Sequence, residues 1–139
     1  MNRKSAIIAL LMTIALIITA VTAVPAPQKR ACSDFVITYP SGGEILKNGS
    51  KQKVVVDIKT SGIKEITAVD LFYKNGTYYG LLWSGNQDQA TVTANTITVT
   101  FPLQINPQVI PGIFFYRVWG QEPAGPNCFK TSKDFAIEK

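Results

Sequence analysis

The chemistry open to this chain is limited first by what it lacks. Its 139 residues contain no histidine, which removes Ser-His and Cys-His nucleophile pairs and every imidazole metal site. The 9 acidic residues stand singly, with no Asp-x-Asp or Glu-x-x-Glu spacing for a metal or a paired-carboxylate centre. Gly42-Gly43 is too short for a phosphate loop and lacks the Lys and helix that follow directly in one. The residues predict a protein that is not an enzyme and uses neither cofactor nor metal.

Binding chemistry is better represented. Phe72, Tyr79 and Trp83 recur at strand spacing around an Asn-Gly turn and can form a flat aromatic strip on one sheet face. Sugar rings stack on such strips through their C–H faces, and Asp70 and Lys74 are placed to meet hydroxyls. Arg117 and Trp119 extend the strip or make a second patch. The competing reading is that these aromatics cover the edge of a core or pack beneath a glycan.

Two further sets of residues bear covalent chemistry. Asn48-Gly49-Ser50 and Asn75-Gly76-Thr77 are N-glycosylation acceptors and are also ordinary Asn-Gly turns. Cys32 and Cys128 are the 2 cysteines. An even pair in an oxidising compartment reads as one disulfide, the alternative being two free thiols. Such a disulfide would close most of the domain and contribute about 4–5 kcal/mol in the chain-entropy treatment.

The compartment is read from the N-terminus. Asn2-Arg3-Lys4 is a short basic start, Ala6 to Ala20 is apolar, and Val21-Thr22-Ala23 offers small residues for signal peptidase. This predicts a signal peptide over 1–23, with cleavage after Ala23. The apolar run is too short for a membrane span and no stop-transfer charges follow it. Residues 24–30 form a short linker ending in Lys29-Arg30, a dibasic processing site, so the working protein is expected to begin at Val24 or Ala31. Arg3, Lys4, Lys29 and Arg30 fall in the discarded part, leaving 10 of the 14 basic residues against 9 acids. The sequence pI of 9.3 is therefore mostly a property of the leader, and neither nucleic acid nor an anionic membrane is an expected partner. No second apolar stretch follows, so no membrane span is expected in the mature chain.

The elements that must position these residues are strands. Residues 31–139 form one expected domain. Phe35–Pro40 is a short strand ended by proline, Lys53–Ile58 a β-branched strand, and Ile66–Lys74 with Thr77–Trp83 a hairpin about Asn75-Gly76. Gln89–Phe101 reads as one long strand or two broken near Ala94-Asn95. Pro102, Pro107 and Pro111 mark a connection that no central strand would contain. Ile113–Trp119 and Phe129–Ile137 complete the set. Seven or eight such strands predict an all-β, antiparallel immunoglobulin- or fibronectin-like sandwich.

A two-residue type I′ loop would set Lys74 opposite Thr77, Phe72 opposite Tyr79, Leu71 opposite Gly80 and Val69 opposite Leu82. Val69, Leu71, Tyr73, Tyr78 and Leu82 then face the core, and Asp70, Phe72, Lys74, Thr77, Tyr79, Leu81 and Trp83 face outward. In the Ile113–Trp119 strand, Phe114, Tyr116 and Val118 are expected inward, and Phe115, Arg117 and Trp119 outward.

The order of these features resembles a known family. Phe35-x-Ile37-x-x-Pro40-x-x-Gly43, Gly49 and Val54-x-Val56-x-Ile58 are similar to the opening of the N-terminal immunoglobulin-like domain of yeast cell-wall synthesis proteins tied to β-1,6-glucan. The domain also occurs in Ser/Thr-rich GPI-anchored proteins. Val69-x-Leu71, Ile97-x-Val99 with Pro102-Leu103, Gly112 with Phe114-x-Tyr116-x-Val118, and Cys128 with Ser132-x-x-Phe135-x-Ile137 resemble its later strands. The resemblance implies a secreted or wall-associated fungal β-sandwich with a role in wall organisation and no catalytic residues. The expectation is a secreted module bound to wall polysaccharide, the alternative a small interaction module or effector binding an extracellular host or wall protein.

Overall fold

The computed structural model describes residues 35–59, 61–121 and 127–139, together with the backbone of Arg30–Ala31. The expected signal peptide, the residues 24–29 and Cys32 lie outside the described residues. Arg30, the second residue of the expected dibasic site, begins the first strand.

Among the described residues eleven strands follow one another: β1 (Arg30–Ala31), β2 (Val36–Tyr39), β3 (Ile45–Lys47), β4 (Ser50–Asp57), β5 (Glu65–Tyr73), β6 (Tyr78–Ser84), β7 (Ala90–Val92), β8 (Thr96–Leu103), β9 (Gly112–Gln121), β10 (Cys128–Thr131) and β11 (Phe135–Glu138). Among the described residues the helical elements are two 3-10 turns, Gln87–Gln89 and Pro107–Val109. None is long and apolar enough to cross a membrane.

The strands form two sheets. The smaller has the order β2-β4-β8-β7. In the larger, β9 is central, with β5 and then β6 on one side. On its other side β11 pairs with the first half of β9 and β10 with the second. The strand is broken at Ser132–Asp134, where the Ser132 N–H donates to the Tyr116 carbonyl at 2.8 Å and the Ser132 hydroxyl accepts from the Tyr116 N–H at 2.9 Å. One serine thereby continues the ladder across the gap. β3 joins this sheet in parallel with β11, and β1 in parallel with β10. The arrangement is an immunoglobulin-like sandwich, with β2, β4, β8 and β7 as its A, B, E and D strands, β5, β9 and β10/β11 as C, F and G, and β6 as an added C′ strand.

Alternation in strands with one solvated face supplies the core. Val54, Val56, Ile97, Val99, Phe101 and Leu103 come from the smaller sheet, and Val69, Leu71, Phe114, Tyr116, Val118, Phe135 and Ile137 from the larger. Antibody domains link strands B and F by a disulfide at the middle of the sandwich. Here β4 and β9 present Val54, Val56, Tyr116 and Val118, and the Tyr116 ring packs on Phe101 at 5.6 Å and Phe135 at 4.4 Å. Cys128 is fully buried, with Sγ 3.6 Å from the Gly120 carbonyl.

Several expectations hold. Phe114, Tyr116 and Val118 point inward. The long threonine-rich segment is two strands, folded back through a turn in which the Thr93 N–H donates to the Thr96 carbonyl at 2.8 Å. Pro102 departs from expectation by lying inside β8, a strand flanked on both sides. The β7 pairing ends at Val99, so no partner on that side requires the missing proline N–H.

The hairpin departs further. The Gly76 N–H donates to the Tyr73 carbonyl at 2.9 Å, the Tyr73 N–H to the Thr77 carbonyl at 2.9 Å, and Gly76 has φ +88°. No described residue other than glycine has a positive φ, which excludes type I′, since that turn requires it at Asn75. The connection is a three-residue loop with glycine in the left-handed position. Leu71 faces Gly80 and Asp70 faces Leu81, as the simple register expects, whereas Phe72 faces Tyr78 rather than Tyr79 and Val69 faces Trp83 rather than Leu82. Bulges at Tyr79 and Leu82 absorb one extra residue each, and each reverses the parity beyond it.

Candidate binding face

Side chains on the outer surface of the larger sheet stand in rows set by strand pairing. One row is Tyr78, Phe72, Phe115; the next is Leu81, Asp70, Arg117, Thr131; the third is Ser84, Ala68, Trp119, Phe129. Asp70 lies at the centre and is 6% exposed. Its Oδ2 accepts from Arg117 Nε at 3.1 Å, Arg117 Nη2 at 2.8 Å and Trp119 Nε1 at 2.8 Å.

The guanidinium is covered by rings. Arg117 Cζ lies 4.5 Å from the Phe72 centroid, 4.8 Å from Trp119 and 5.5 Å from Phe129. Phe72 stacks on Phe115 at 5.4 Å and meets Tyr78 edge-on at 5.3 Å, while Trp119 and Phe129 are 5.1 Å apart. A buried carboxylate requires a charged, hydrogen-bonded partner. Arg117 meets that need, and each ring on it adds cation–π attraction of about 0.5–2 kcal/mol. The cluster is consequently stiff. Tyr78 and Leu81, at 52% and 54% exposure, lie open to solvent at its margin.

Of the residues expected to form the strip, Phe72, Asp70, Arg117 and Trp119 come together. Asp70 is a hub beneath the aromatics, with its Oδ2 taken by three donors. Tyr79 and Trp83 belong elsewhere, because the bulges turn them from the outer face. Tyr79 packs on Tyr73 at 5.7 Å and Phe114 at 6.4 Å, and its hydroxyl accepts from the Asn106 N–H at 2.7 Å. Trp83 is a core residue at 4% exposure. Tyr78, expected inward, is outward. Lys74 is at the hairpin tip, 3.3 Å from Asp134 Oδ2. Tyr78, Phe115, Leu81 and Phe129 join the face without having been singled out as binding residues. Alternation already placed Phe115 and Leu81 outward, whereas Tyr78 depended on the bulge and Phe129 on the pairing of β10 with β9.

Among the described residues no group of three or more His, Cys, Asp or Glu side chains is placed to hold a metal ion.

No family model matches the chain, and no curated protein matches its sequence. Similar solved structures include murine CRIg, at 9% identity and TM-score 0.41, covering 77% of this chain and 100% of that one. Another is a chain from a structure of T cell specificity and activation by the bacterial superantigen toxic shock syndrome toxin-1. It shows 13% identity and TM-score 0.37, with 75% of this chain and 99% of that one covered. Superpositions of this quality transfer neither ligand nor partner.

Proposed function

We propose that this domain is a secreted, non-enzymatic interaction module that binds an extracellular protein through the outer face of its larger sheet. The observation that carries the reading is the occupation of the ring faces. A sugar-stacking platform needs an open aromatic face. Phe72 already has Phe115 parallel at 5.4 Å and Arg117 over it at 4.5 Å. Trp119 is 9% exposed beneath Arg117 and Phe129. Tyr79 and Trp83, two of the three expected stackers, are turned away. What remains is a stiff patch of Phe, Tyr and a partly covered Arg with Leu81 beside it, and aromatic residues and Arg are the types enriched where proteins bind one another. The resemblance to the fungal wall module supplies the setting: outside the cell, at the wall.

The test is site-specific photo-crosslinking. A photoreactive residue at Leu81, and separately at the exposed Lys51 of the other sheet, is offered to extracellular and wall protein fractions. We expect a discrete protein adduct from position 81 alone, abolished by Tyr78→Ala. Equal labelling from both positions, or selective retention on insoluble β-glucan or chitin without a protein adduct, would overturn the assignment.

A further inference from the structure

The two glycosylation sequons are held in different ways. Asn48, on the turn between β3 and β4, is half-buried. Its Nδ2 donates to the Ile105 carbonyl at 3.0 Å, and its Oδ1 accepts from the Ile105 N–H at 2.9 Å. One primary amide thus pairs with both backbone groups of one residue and ties the turn to the segment after β8. Such a pair uses the Nδ2 hydrogen on the same side as Oδ1. Asn75 is exposed at the β5–β6 tip. Its Oδ1 accepts from the Thr77 N–H at 2.9 Å, and among the described residues no hydrogen bond engages its Nδ2.

N-glycosylation converts the primary amide to a secondary one. Secondary amides are strongly trans, which puts the sugar carbon on the side of the amide oxygen and leaves the remaining hydrogen opposite. At Asn48 the sugar would take the place of the hydrogen that reaches Ile105, and the two-point pairing could not form. At Asn75 the Oδ1 contact survives and the sugar projects from the tip.

We infer that Asn75 is the glycan-bearing residue of the folded protein and that Asn48 stays unmodified as a structural clamp. In the reaction, Asn75 Nδ2 attacks the anomeric carbon of an oligosaccharide carried on a polyprenyl diphosphate. A C–N bond forms, the C–O bond to the diphosphate breaks, the lipid diphosphate leaves and the nitrogen loses one proton. The glycan would stand at the rim of the outer face, beyond the Phe72–Tyr78 pair.

The full chain, made in a eukaryotic secretory host, is the sample. After peptide N-glycosidase treatment in heavy-oxygen water, peptide mass spectrometry reads which Asn has become labelled Asp. Label at residue 75 and none at 48 is the expected result. Thr77→Ala should abolish the glycosidase-sensitive gel shift, and Ser50→Ala, which keeps Asn48 but destroys its sequon, should leave the shift unchanged. Label at Asn48 in the folded protein, a bare Asn75, or a shift lost in Ser50→Ala would each overturn the inference. The site-resolved measurement on the unaltered chain stands if Ser50→Ala fails to fold, since Ser50 Oγ donates to the Lys47 carbonyl at 2.6 Å.

Discussion

Trp83 and Tyr78 have exchanged roles relative to a plain alternating strand, and the exchange is physically sensible. Trp83 offers the larger apolar surface, so burying it contributes more, while Tyr78 keeps its hydroxyl in water at 52% exposure. Among the described residues Trp83 Nε1 has no hydrogen-bond partner, a cost the packing must exceed. Trp83→Ala is therefore expected to lower unfolding free energy by about 3–5 kcal/mol, as large core truncations do. Tyr78→Ala should cost about 0.5 kcal/mol, the range of exposed sites. Urea denaturation of the two variants beside the parent checks this, and similar losses in both would return Trp83 to the surface.

Among the elements, the β2–β3 turn depends on one carboxylate. Glu44 accepts from the Ser41 N–H and hydroxyl at 2.6 and 2.5 Å and from the Gly42 N–H at 2.8 Å. Partial burial works to raise the Glu44 carboxyl. The hydrogen bonds from the Ser41 side chain and from the Ser41, Glu44 and Gly42 backbone together outweigh it and bring it to about 2, below the ordinary 4.5. A lowered folded-state value means stability that is present above pH 4.5 and lost as pH falls toward 2. Glu44→Gln should accordingly be less stable than the parent at neutral pH, with the gap narrowing at about pH 3. A gap independent of pH in denaturation curves would show that the carboxylate does not hold this turn.

The elements also show where reading by pattern stopped. β9 was legible because it is flanked on both sides and its ladder with β5 is regular over Ala68–Tyr73, so plain alternation gives every side chain. β6 was not, because among the described residues its one ladder is with β5, and it so tolerates two bulges. A free edge is where extra residues cost least.

For the whole molecule, the first and last described strands, β1 and β11, both lie in the larger sheet. β1 runs beside β10, with Arg30 opposite Cys128. This brings the chain just before Cys32 to the strand that carries the other cysteine, and a disulfide between the two remains our proposal. Alkylation of the secreted protein, denatured without reductant, should modify neither cysteine, and after reduction both. Labelling before reduction would leave the termini held by packing and hydrogen bonds alone.

What the sequence determined by itself was whatever depends on composition and local period. Absent histidine and dispersed acids limited the chemistry, β-branched alternation set the two-sheet architecture, and Asn-Gly and Gly-Gly pairs located the turns. It also put Asp70 with Phe72 on one face of β5, and Arg117 with Trp119 on one face of β9, because the members of each pair are two residues apart; the pairing of β5 with β9 made the two faces one. The tertiary structure decided the rest. The loop after Tyr73 and the bulges at Tyr79 and Leu82 put Trp83 in the core and left Tyr78 outside it. Asp70 became a buried hub because β5 and β9 pair Asp70 with Arg117, a relation between residues 47 positions apart. Asn48 and Asn75, alike as motifs, were separated by Ile105, a residue that only the folding of the chain brings to one of them.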